Sequence, residues 1–214
     1  MSAMCGGDGP GARMVEINRL LSAGASASVS DEDLKRMPKY AESRRWGEYA
    51  LRPELAAACC LVAAGRGLAE VPRRYLRAAA KRGAAGAVDA ICREAAREAP
   101  LKSAVSLGSS FGARLLGAAV DRGSGDVVRC LVGHGAPRDS DRLISQAIRK
   151  GSAEMIITIC TANLAFQSNR EAFLREASAA AARRKQPGIF RAAEMVAYGP
   201  GVDRSARLGE LELR

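Results

Sequence analysis

Apolar and polar positions recur along this chain in one two-part pattern. Three segments, Arg74-Tyr-Leu-Arg-Ala-Ala-Ala-Lys-Arg-Gly83, Arg114-Leu-Leu-Gly-Ala-Ala-Val-Asp-Arg-Gly123 and Arg142-Leu-Ile-Ser-Gln-Ala-Ile-Arg-Lys-Gly151, share an order. Each runs from an arginine through two apolar residues, a small or polar pair and a small apolar stretch to a charged pair and a glycine. This order predicts a short helix with an apolar stripe, basic residues complementing the dipole at its C-terminal end, and glycine in the left-handed terminating position. A second helix is predicted shortly after each glycine, over 86–96, 126–136 and 154–160, where apolar residues return at helical spacing. Related patterns stand at 15–25, 57–65 and 192–199, with longer connections near 26–36, 47–54 and 97–112. One further first helix is read at Pro38 to Gly47, with proline starting it. The last pair opens at Phe173-Leu174 and turns at Gln186-Pro187-Gly188.

The pattern resembles the ankyrin repeat, whose unit is a helix ending near glycine, a second helix of the form E-V-V-x-x-L-L-x-x-G-A, and a β-turn finger. Residues 114 to 139 carry the likeness most fully: Leu115 to Arg122 stands for the first helix, Asp126 to Val132 for the second, and Gly135-Ala136 opens the finger. Where the family opens its first helix with Thr-Pro-Leu-His, this chain has Arg74 to Arg77, Arg114 to Gly117 and Arg142 to Ser145, which implies an array held mainly by apolar stacking. The resemblance covers residues 12 to 201. It implies an all-α fold, an ankyrin-like α-solenoid of about five to six helix-turn-helix repeats joined by irregular β-turn fingers. A flexible leader over 1–11 and a polar C-terminal cap or tail over 202–214 complete the expected organisation.

Composition supports the helical reading. The chain has 214 residues, 48% of them hydrophobic but only 4% aromatic, and alanine dominates; small residues suit close helix packing better than a strand-rich sandwich. At this length, folding buries roughly 70% of the extended chain's surface, so a real core is expected. Lys and Arg outnumber Asp and Glu by 33 to 23, giving +10 and a pI near 9.8. That charge attracts nucleic acid, anionic lipid or an acidic protein face without choosing among them. The first 24 residues lack an uninterrupted apolar segment, and the longest apolar run, Leu55 to Ala64, is half the length a bilayer needs. An intracellular protein, neither secreted nor membrane-spanning, is expected.

Catalytic chemistry has few candidates. Cys5, Cys59, Cys60, Cys92, Cys130 and Cys160 form no Cys-x-x-Cys half-site, so reduced thiols and no metal are expected. In the repeat register Cys92 and Cys160 share a column with Val132, and Cys60 shares one with Cys130, which marks packing positions. His134, the only histidine, reads as a helix C-cap rather than a catalytic base. The glycines between Gly6 and Gly11 lack the Lys-Ser/Thr of a phosphate loop. No catalytic residue, cofactor or enzymatic activity is therefore expected. Trp46 has two readings, a binding anchor or a packing residue.

The basic pairs Lys81-Arg82 and Arg149-Lys150, with Arg183-Arg184-Lys185, complement helix dipoles. A second set, Arg73, Arg74, Arg77, Arg114, Arg138 and Arg142, falls at first-helix starts and in the fingers, the side such arrays turn toward partners. The expected function is a monomeric protein–protein interaction scaffold or adaptor whose basic concave groove receives an acidic protein partner. The alternative is a sequence-tolerant nucleic-acid-binding helical repeat, against which nine aromatic residues leave few bases a stacking partner.

Overall fold

The computed structural model describes residues 9–137, 141–150, 153–160, 170–185 and 187–198. All regular structure among them is helical, with no strand. The chain divides into two compact units, residues 1–137 and 138–214. The first holds α1 (Pro10–Ser22), α2 (Asp31–Glu42), α3 (Gly47–Ala50), α4 (Pro53–Gly65), α5 (Glu70–Arg82), α6 (Ala85–Arg97), α7 (Ala99–Val105), α8 (Ser110–Arg122) and α9 (Gly125–Gly133). The second holds α10 (Asp141–Lys150), α11 (Ala153–Cys160), α12 (Arg170–Arg184) and α13 (Pro187–Tyr198).

Local chemistry accounts for several helix ends. Gly83 and Gly123 stop α5 and α8 in the left-handed region at φ 75° and 79°, where their amides return to the last turn. The helix expected to start at Pro38 instead starts at Asp31 and carries Pro38 inside it. Ser30 outcompetes the proline as a start signal: its hydroxyl oxygen accepts the Asp33 amide at 3.1 Å, and Asp31, Glu32 and Asp33 load the first turn with negative charge. The connections also differ from the expected β-turn fingers. Ser26–Ser28 forms a 3₁₀ turn, and 97–112 contains α7, whose Leu101, Ala104 and Val105 make a buried apolar stripe that packs on α4, α5 and α6.

In the first unit the helices pack as two rows. α2 lies against α5 and α5 against α8, while α1, α4, α6 and α9 contact one another in succession. Turns join α5 to α6 and α8 to α9 as antiparallel neighbours, so the core lies between the rows. Leu34, Met37, Tyr75, Leu76, Ile91, Leu115, Leu116 and Leu131 are fully buried there. Tyr75 donates its hydroxyl to the Ala50 carbonyl at the end of α3, satisfying one of the acceptors a helix terminus leaves unpaired. Arg66, just past α4, binds the Ser26 carbonyl at 2.5 Å, the Val29 carbonyl at 2.6 Å and the Asp31 carboxylate at 2.9 Å, tying the α1–α2 connection down. The second unit has the same local pairing: α10 packs on α11 and α12 on α13, while α10 meets α12 and α11 meets α13.

Asp33 is the buried acidic group of the first unit's described residues. Arg13 of α1 grips its carboxylate with two guanidinium nitrogens, and the Ser30 hydroxyl donates to it at 2.6 Å. The Arg13 hydrogen bond outweighs burial and holds the carboxyl at about 2, below its ordinary 3.8. Because the folded form binds this proton more weakly than the unfolded chain, the stabilisation is complete above about pH 4 and lost as pH falls toward 2. Its size is about 2 kcal/mol. Acid titration of the melting temperature is expected to show this loss between those pH values for the native protein and a flatter profile for Asp33→Asn. Superimposable profiles would remove Asp33 from the account.

Candidate partner-binding face

α5 and α8 are the same helix in register, offset by 40 residues. Tyr75 and Leu115, Leu76 and Leu116, and Ala79 and Ala119 are buried equivalents, and the arginine before each apolar pair, Arg74 or Arg114, emerges from the same side. Arg114 and Arg77 are exposed and Arg74 is half-exposed. None of these three, nor exposed Lys81, forms an ion pair among the described residues. Glu70 stands four residues before Arg74 without pairing to it.

The other row is neutralised. Along α6 and α9, Arg93 pairs with Asp89 at 2.5 Å, Arg97 with Glu94 at 3.2 Å and Arg129 with Asp126 at 3.4 Å. Arg66 pairs with Asp31 and Arg19 with Glu16. Such exposed pairs contribute little stability, but they cancel charge locally. On α5 and α8, by contrast, Arg74, Arg77, Lys81 and Arg114 keep a positive charge that no ion pair among the described residues cancels, as do Lys35 and Lys39 of α2.

The remaining expected residues separate by role. Arg73 turns inward: its Nε donates to the Ala104 carbonyl at 2.7 Å and its guanidinium lies 5.9 Å from the centre of the Phe111 ring. It thus caps α7 and braces α8, and its donor is not free for a partner. Arg142 lies on α10 of the second unit, where only its helical placement is described, and Arg138 lies outside the described residues. Trp46 serves packing, with its indole pressed on Gly11 of α1 and the Arg45 guanidinium 4.9 Å from the centre of its ring.

Cys59, Cys60 and Cys92 are buried, and burial raises all three thiols, Cys59 and Cys92 to about 12, as packing residues require. Cys130 departs from the packing column it was expected to share with Cys60. It is half-buried and lies 4.0 Å from an Asp89 carboxylate oxygen, which His134, the residue capping α9, approaches to 3.0 Å. Cys5 lies outside the described residues, as does the side chain of Cys160.

No helix among the described residues is long and apolar enough to cross a membrane. Comparisons with protein-family models, curated proteins and solved structures found no match to this chain.

Proposed function

We propose that this chain is a protein–protein interaction scaffold, an ankyrin-like stack of helix pairs that offers the basic face of α5 and α8 to an acidic protein partner. The observation that carries this reading is the asymmetry of charge: Arg74, Arg77 and Arg114 stand without acidic partners, whereas the arginines of α6 and α9 are paired along their own helices. Guanidinium groups on a rigid helical frame suit bidentate contacts to carboxylates. Tyr75 and Phe111, the aromatic residues of these two helices, are buried, so the face has arginine forks but no stacking surface for bases.

The test is an affinity capture from lysate at about 0.15 M salt, with and without nuclease, comparing the native chain with Arg74→Glu/Arg77→Glu/Arg114→Glu. Circular dichroism of the variant serves as the folding control. Identified acidic proteins that survive nuclease and are lost by the folded variant are the expected result. Recovery of only nuclease-sensitive material would replace this reading with nucleic-acid binding, and equal capture by the variant would remove the basic face from it.

A further inference from the structure

Asp89 sits on α6, while Cys130 and His134 sit one turn apart at the C-terminal end of α9. Spacing of i, i+4 puts the thiol and the imidazole on one side of α9, and the packing of α9 on α6 sets that side against Asp89. The candidate ligand atoms of the three residues all lie within 4.8 Å of one another. His134 Nε2 is 3.0 Å and Cys130 Sγ 4.0 Å from the same oxygen, Asp89 Oδ1. A tetrahedral zinc centre with bonds of about 2.0–2.3 Å spaces its ligand atoms about 3.3–3.8 Å apart, so adjustments of about 1–1.5 Å at most separate this arrangement from a coordinating one.

We propose that Asp89, Cys130 and His134 form a three-ligand site for a divalent transition ion of the zinc class, with the fourth position open to water. The donor set of one sulfur, one nitrogen and one oxygen is of the kind zinc takes. Asp89 is already oriented for it: Arg93 holds Oδ2 at 2.5 Å and leaves Oδ1 directed at His134, the task of an outer-shell partner. The side chains of His134 and Asp89 are 25% and 40% exposed, and Ala85, Gly86 and Gly133 wall the groove with small residues, so an ion and its water can enter. The negative end of the α9 dipole lies beside the site. Binding forms a metal–thiolate bond at Cys130 and releases the thiol proton to solvent. The bound ion would cross-link α6 to α9 in the row opposite the basic face.

Cobalt(II) titration of the intact, reduced protein tests this, because a thiolate-bound tetrahedral cobalt has a charge-transfer band and intense visible bands that zinc then displaces. The expected result is one equivalent of cobalt with those bands, abolished in Cys130→Ser and weakened at least about 10-fold in His134→Ala and Asp89→Asn. His134→Ala changes a partly exposed residue and reports the site even where Cys130→Ser fails to fold. Absence of a thiolate band up to about 1 mM cobalt, or a band that survives Cys130→Ser through the other five cysteines, would overturn the proposal.

Discussion

Leu131→Asp is expected to unfold the α8–α9 pair and to lower or abolish the thermal transition of the first unit. Leu131 is 0% exposed on α9, where the helix packs on both α6 and α8. A carboxylate there has no partner and must either be desolvated or be protonated at a cost. The penalty is about 4 kcal/mol or more, a large part of the roughly 5–15 kcal/mol that typically holds a domain together. Because α9 packs on α6 and α8, and both of these pack on α5, the damage should spread to α5 and α6. Leu20→Asp, at a half-exposed position of α1, is expected to cost about 1 kcal/mol. Helical circular dichroism and the melting temperature separate the two variants, and a Leu131→Asp protein indistinguishable from the native one would mean that α9 is placed wrongly.

Gly112→Ala is expected to destabilise the first unit by about 3 kcal/mol, although alanine favours helices over glycine. A β-carbon at Gly112, in the first turn of α8, would overlap the Leu107 carbonyl oxygen. The turn before it has little room to yield. Ser109 accepts the Phe111 amide at 3.2 Å and donates to the Ser106 carbonyl at 2.6 Å, and Ser106 itself is held at φ 27°. Gly133→Ala provides the contrast, since the new methyl meets nothing within 4 Å and the residue closes α9 with ordinary backbone angles. That change is expected to add about 0.5 kcal/mol. Denaturant midpoints of the two variants should move in opposite directions, and an unchanged midpoint for Gly112→Ala would exclude the close approach of Leu107.

Residues close in the chain are enough to set the helical class, the pairing of helices around Gly83 and Gly123, and the burial of Cys60 and Cys92. These depend on residues within a turn or two of one another: an apolar stripe at helical spacing, a glycine free to adopt positive φ, and thiols in apolar runs. Local cues failed where two of them competed, as at Ser30 and Pro38, or where a short apolar stripe awaited a docking surface, as in α7. Which arginines face outward was legible only in part. Arg73 and Arg74 are adjacent and chemically alike, yet an acceptor 31 residues away at Ala104 takes the first, and Glu70 leaves the second alone although its spacing invites a pair. The Cys130–His134 spacing was present in the sequence but carried no meaning without Asp89, which lies 41 residues before the cysteine and 45 before the histidine. Only the packing of α6 on α9 brings the three together, because contact between helices depends on how whole apolar faces fit, and no local run of residues encodes that fit.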